Sequence, residues 1–161
     1  MTSPSIIPFS TPVSTIISKT SPEAVVTRFL HALENKDQDT IAALLAPNLV
    51  YTNVSLPTIK GGQRVAKIMN FLLRRSVGFQ VQNHRIAVNG EYVLTERTDL
   101  IKMGTLHVGF WVCGTFQVQN GQIVLWRDYF DWSNVIRGTA RGITGIFLPQ
   151  LRVTLPANGR E

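Results

Sequence analysis

The stretch GFQVQNHRIAVNGEYVLTERTDLI, residues 78–101, decides the fold. Two strand-like runs, 78–88 and 91–101, meet at Asn89-Gly90, a pair suited to the positive-φ backbone of a tight hairpin. In the returning run successive side chains alternate between faces. Val93, Thr95, Arg97, Asp99 and Ile101 share one face, opposite Leu94, Glu96, Thr98 and Leu100. The pattern continues past a turn at Met103-Gly104-Thr105. In LHVGFWVCGTFQV, 106–118, the side chains of Leu106, Val108, Phe110, Val112, Phe116 and Val118 make a clearly apolar face. Asn120-Gly121 then turns the chain into IVLWRDYFDW, 123–132. Strands joined in series by such short turns form an antiparallel meander.

Upstream the period is helical. Ser21-Pro22-Glu23 supplies a cap candidate, a proline for the first turn and an acid that complements the helix dipole. Val25, Phe29, Ala32 and Leu33 follow at helical spacing. A short helix is expected around Thr40 to Leu45, ending at Pro47, then a short strand from Leu49 to Val54. Gly62 to Ser76 reads as an amphipathic helix, with Val65, Ile68, Met69, Leu72 and Leu73 on one side. Ser133 to Leu148 reads as a last helix, weakened by Gly138, Gly142 and Gly145. Helices, then a meander, then a helix predict an α+β domain: a curved antiparallel sheet, mixed at its edge, with helices packed on its concave face. Residues 1–20 are expected to form a flexible arm, 21–150 a single domain and 151–161 a tail.

The 161 residues are enough for a core without staples, and 44% apolar with 16% charged residues is ordinary for a globular chain. The net charge of +6 is dispersed, with Arg74-Arg75 the only adjacent basic pair, so a solvated basic surface is expected and no nucleic-acid partner. A single cysteine, Cys113, excludes an intramolecular disulfide and a cysteine-based metal cluster. His31, His84 and His107 lie far apart without ligand spacing, so no metal is expected. The N-terminal stretch lacks a basic secretory n-region, and no apolar run approaches the roughly 20 residues of a membrane span. A cytoplasmic location is the expectation.

Polar residues stand where a core is expected. On the strand 123–132, Ile123, Leu125, Arg127, Tyr129 and Asp131 share a face. Val124, Trp126, Asp128, Phe130 and Trp132 share the other, which places a carboxylate between aromatics. On the strand 49–54, Leu49, Tyr51 and Asn53 face one way. A buried carboxylate needs a partner or a task. Arg97 paired with Asp99 or Asp128 could be a structural ion pair, which adds little net stability. Two carboxylates sharing one arginine differ from that. The guanidinium fork can hold both at fixed separation, and its single charge leaves one of them able to stay protonated. An acid beside a base suits general acid–base chemistry.

Tyr51-Thr52-Asn53 with Leu56-Pro57, then Leu94-Thr95-Glu96-Arg97-Thr98-Asp99, then Trp126-Arg127-Asp128-Tyr129-Phe130-Asp131, resemble the limonene-1,2-epoxide hydrolase family in order and spacing, over roughly residues 22 to 135. The resemblance implies the cone-shaped fold of nuclear transport factor 2 and ketosteroid isomerase. It also implies cofactor-free, one-step opening of an epoxide by water to a vicinal diol. By position, Asp128 would be the general base, Tyr51 and Asn53 would hold the water, Asp99 would be the general acid, and Arg97 would bridge the two aspartates. Arg127 and Asp131 fall on the opposite face and are read as structural. The family also implies a homodimer through the outer sheet surface.

The expected apolar wall of the pocket comprises Phe29, Leu33, Met69, Leu73, Phe110, Val112, Phe116, Trp126 and Phe130, any one of which could equally be plain core. Together they suit a lipophilic epoxide of terpene, fatty-acid or steroid type. The glycine-containing segment 134–148 has two readings beyond an ordinary docked helix: closure of the pocket mouth, or weak contact of its apolar residues and Arg137, Arg141 and Arg152 with a membrane surface or another subunit. Two other functions fit the same fold. One is an isomerase or cyclase acting on a steroid- or polyketide-like substrate, and the other is a non-catalytic ligand-binding module.

Overall fold

The computed structural model describes residues 21–73 and 76–156. The expected N-terminal arm, the arginine pair 74–75 and residues 157–161 lie outside the described residues. Helix α1, Pro22–Asn35, starts as its sequence requires. The Ser21 hydroxyl accepts from Ala24 N at 3.2 Å, Pro22 opens the first turn, and Lys36 ends the helix in the left-handed region at φ 58°. Its inner face buries Val25, Val26, Phe29, Leu30, Ala32 and Leu33. Helix α2, Gln38–Leu44, is capped by Asp37, and it runs straight into strand β1, Leu45–Asn53. Pro47 therefore lies inside a strand that begins four residues before the expected Leu49. Strand β2, Ile59–Lys60, is a two-residue edge too short to leave a periodic signal.

Helix α3, Gly62–Leu72, ends before the expected Ser76. Its first residue must be small, since a Cβ on Gly62 would lie 2.7 Å from the Leu45 carbonyl oxygen. Strands β3 (Val77–Asn89), β4 (Tyr92–Met103), β5 (Leu106–Gln119) and β6 (Gln122–Tyr129) form the expected meander. The six strands stand in the order β2-β1-β6-β5-β4-β3, antiparallel except where β1 runs parallel to β6. The sheet is thus mixed at the β1 side, and helices α1 to α3 deliver Phe29, Leu33, Ile41, Val65 and Met69 into one core with Val93, Phe116, Val118 and Trp126.

Two local readings are corrected. The pairing of β5 with β6 shifts between Gln117↔Leu125 and Val118↔Ile123, so Val124 is an extra residue in β6. Such a bulge reverses the alternation behind it. Ile123 is therefore fully buried in the core, although strict alternation puts it on the outer face with Leu125, Arg127 and Tyr129. Beyond the bulge the alternation holds: Trp126 and Asp128 are buried, Arg127 and Tyr129 exposed. The strand also ends at Tyr129 rather than 132. Asp131 instead caps helix α4, Trp132–Phe147, accepting from Ser133 N at 2.8 Å.

In α4 the glycines are the contact face. Gly138, Gly142 and Gly145 are its buried residues, and Cβ atoms on Gly138 and Gly142 would run into the carbonyl oxygens of Gly109 and His107 on β5. After a 3-10 turn at Pro149–Leu151, Arg152 and Val153 fold back on the domain. Arg152 Nε donates to Gly145 O at 3.0 Å, and Val153 O lies 3.0 Å from His107 Nδ1.

Candidate active site

Strand register builds the site. Thr95, Arg97 and Asp99 project from β4 on the face that meets the core, and Asp128 projects from β6 two strands away. Between them on β5 stands Gly114, the pairing partner of both Thr95 and Asp128. A Cβ there would lie against Arg97 Nη1, 2.7 Å from Thr95 Oγ1 and 2.9 Å from a Phe116 ring carbon. The missing side chain opens the channel through which the guanidinium crosses β5. Arg97, 1% exposed, gives Nε to Asp99 Oδ1 at 2.9 Å and Nη2 to Asp128 Oδ2 at 2.8 Å. Nη2 also approaches Asp99 Oδ2 at 3.3 Å, and Nη1 donates to Thr95 Oγ1 at 3.0 Å. The expected bridge of two aspartates by one arginine is present.

The two carboxylates are not equivalent. Both Asp99 oxygens face Arg97, whereas Asp128 Oδ1 is buried with no hydrogen-bond partner. An orphaned buried carboxylate oxygen is costly and marks a place for a further donor. Burial raises the Asp99 carboxyl, Arg97 opposes that, and the Asp128 charge adds to it, giving a value of about 6. Asp99 therefore holds a proton well above the ordinary carboxylate range. Burial works against the charge of Arg97, but Asp128 and Asp99 outweigh it and keep the guanidinium charged.

Tyr51 and Asn53 enter from β1, where the parallel register sets Tyr51 beside Trp126 and Asn53 beside Asp128. Tyr51 is buried and Asn53 half-buried. Burial, then the neighbouring Asp128, pushes the Tyr51 hydroxyl above the ordinary phenol range, opposed by a hydrogen bond from the Asn53 side chain. Tyr51 thus remains a donor beside a carboxylate.

Of the expected wall residues, Phe29, Leu33, Met69, Leu73, Val112, Phe116 and Trp126 are buried, and Phe110 and Phe130 are half-buried. Phe29 and Tyr51 pack on Trp126 with ring centroids at 5.0 and 4.2 Å, and Phe116 stacks on it at 6.0 Å. Phe110 meets Phe130 edge-on at 6.1 Å, and Phe130 meets Trp132 at 5.1 Å, a second aromatic group on the more open side. Buried apolar side chains thus surround the charged group, and such surroundings strengthen the electrostatics within it.

Three contributors escaped the sequence reading. Thr95 shares a face with Arg97, but alternation says nothing about which hydroxyl bonds a guanidinium. Gly114 interrupts the apolar series Val112, Phe116, Val118, and a glycine where a side chain is due is the signal for close approach. Glu34, at the end of α1, has no periodic signal. Its Oε1 accepts from Val81 N at 2.7 Å on the edge strand, directly across from Asp99, and its charge helps raise the Asp99 carboxyl.

Among the described residues no group of three or more His, Cys, Asp and Glu side chains could hold a metal ion, and no helix is long and apolar enough to cross a membrane. The family model for the limonene-1,2-epoxide hydrolase catalytic domain matches residues 20–141. Epoxide hydrolase EphG of Mycobacterium tuberculosis is 46% identical in an alignment of 147 positions that covers 86% of this chain and 98% of that protein. A solved LEH-like epoxide hydrolase from M. tuberculosis, also 46% identical, aligns with a TM-score of 0.80 over 83% of this chain and 95% of its own. A Catenulispora acidiphila protein with a ketosteroid-isomerase-like fold aligns at 0.63 with 14% identity, over 72% of this chain and 92% of its own, and shares the fold alone. The cone-shaped α+β architecture is therefore the observed one, and with a family match over three-quarters of its length the chain belongs to the limonene-1,2-epoxide hydrolase family.

Proposed function

We propose that this chain is an epoxide hydrolase that opens a lipophilic epoxide with water in one step, giving a vicinal diol without a covalent intermediate or cofactor. The observation that carries the reading is the asymmetry of the shared-arginine pair. Asp128 keeps a buried, unpartnered Oδ1, and Asp99 holds its proton up to about pH 6. Asp128 Oδ1 takes a proton from a water held by Tyr51 and Asn53 as that water's oxygen attacks one epoxide carbon. The carbon–oxygen bond breaks, and Asp99 protonates the departing oxygen. One proton enters at Asp128 and one leaves at Asp99, so the pair resets by returning a proton through solvent. Arg97 holds both carboxylates throughout and is not itself a proton donor. Ring strain lowers the intrinsic barrier, so positioning and proton transfer are what the protein supplies.

The aromatic lining favours a substrate with a terpene, fatty-acid or steroid body. A homodimer would use the outer sheet face, where Leu94, Trp111 and Tyr129 are exposed. The bridging arginine separates this reading from that of an isomerase, whose base needs no second acid tied to it. Diol formation from a panel of terpene, aromatic, fatty-acid and steroid epoxides identifies the substrate class. Asp128→Asn is expected to stay folded and lose about 10²–10⁴ in rate. Activity within about tenfold of the native protein would sink the base assignment. A single turnover in ¹⁸O-water is expected to label the first diol formed; unlabelled diol would mean that its oxygen came from an enzyme carboxylate.

A further inference from the structure

Helix α4 docks by its glycines and turns its large apolar side chains outward. At about 100° per residue, Gly138, Gly142 and Gly145 define the buried line. The opposite arc carries Trp132, Ile136, Ala140, Ile143 and Phe147, with Ile136 66% and Phe147 79% exposed. Arg137 and Arg141 lie on one flank of the helix between this arc and the glycine line, beside a groove they share with Thr98, Trp111 and Val153, and neither makes a salt bridge among the described residues. From residue 132 to 160 the sequence has four arginines and no acid. Asp131, just before the helix, is tied to its N-terminus by bonds to Ser133 N at 2.8 Å and Ser133 Oγ at 2.6 Å.

We propose that this outward face of α4 is a membrane-surface docking site for anionic phospholipid, separate from the Asp99–Asp128 site. A narrow apolar stripe on one helix, some 24 Å long from its 16 residues, fits the boundary between headgroups and acyl chains. From the flank of the helix the exposed, long side chains of Arg137 and Arg141 can extend their charges to phosphate. The charge pattern favours lipid over a second copy of this chain. Self-pairing along the stripe would bring the arginines of two copies together, with no acid in the helix to offset them. Docking there would also hold the domain where lipophilic molecules concentrate.

The test is co-sedimentation of the full chain with vesicles of equal parts phosphatidylglycerol and phosphatidylcholine, against phosphatidylcholine alone. Binding is expected on the anionic vesicles only, and it weakens about fivefold for each of Arg137→Gln and Arg141→Gln. Ile143→Asp with Phe147→Asp is expected to weaken it by more than about tenfold. If that pair perturbs the fold by circular dichroism, the exposed arginine variants decide alone. Absence of binding to anionic vesicles, or equal binding by folded variants, overturns the proposal. So does a sedimentation-velocity result in which Ile143→Asp with Phe147→Asp converts a dimer to a monomer, because the stripe is then covered by a second copy.

Discussion

Asp99 and Asp128 are the same residue type, buried to nearly the same degree, and their surroundings set them apart. Asp99 has both oxygens against Arg97 and the Glu34 charge nearby, while Asp128 has one oxygen committed and one unmatched. The consequence is a pH dependence with a definite sign. Asp99 is raised from its ordinary 3.8 to about 6, so it is protonated below that value and loses the proton above it. With Asp99 as the donor, kcat/KM on an epoxide is expected to fall about tenfold per pH unit once pH passes about 6. A rate that climbs between pH 6 and 8 would rule Asp99 out as the acid. The three charged residues were legible in the sequence because alternation alone puts Arg97 with Asp99 and sets Asp128 among aromatics. Thr95, Gly114 and Glu34 were not. Their parts depend on which atom meets which across three elements, and one-strand periodicity carries no such information.

Among the elements, legibility followed turn chemistry. Asn89-Gly90 and Asn120-Gly121 sit at hairpins where Gly90, Asn120 and Gly121 adopt positive φ, and both ends of the meander were correctly located from them. The bulge at Val124 has no compositional mark, so Ile123 was assigned to the wrong face. In helix α4 propensity gave the wrong physical meaning: glycine costs up to about 1 kcal/mol of helix stability against alanine, which reads as weakness. Here backbone approach reverses the sign, because a Cβ on Gly142 would strike the His107 carbonyl and come within 3.0 Å of a Leu106 methyl. Gly142→Ala is therefore expected to lower stability by about 1–3 kcal/mol despite the better helix former. Urea unfolding measures it. A raised midpoint would mean that α4 shifts freely on β5, and its outward stripe would then have no fixed orientation.

Across the whole molecule, the curved sheet and three helices enclose a cation and two carboxylates that are each nearly inaccessible to water. A buried ion group contributes little net stability, yet removing its centre leaves two like charges without a partner. In the native protein the folded Asp99 binds its proton more tightly than an unfolded aspartate. Its contribution is complete below about pH 3.8 and lost as pH rises through about 6. Without the guanidinium the opposing influence on Asp99 disappears, so the loss extends to higher pH and grows larger. Arg97→Gln is thus expected to be less stable than the native chain by about 3–5 kcal/mol at pH 7, with the gap narrowing as pH falls toward 4. Parallel urea titrations of the two proteins from pH 4 to 8 measure that gap, with the fluorescence of buried Trp126 reporting unfolding. A gap that stays constant with pH would mean Arg97 stabilises the domain by packing against Thr95 and Phe116 rather than by charge. The two aspartates would then have to be treated as independent groups, and their division into acid and base would lose its physical basis.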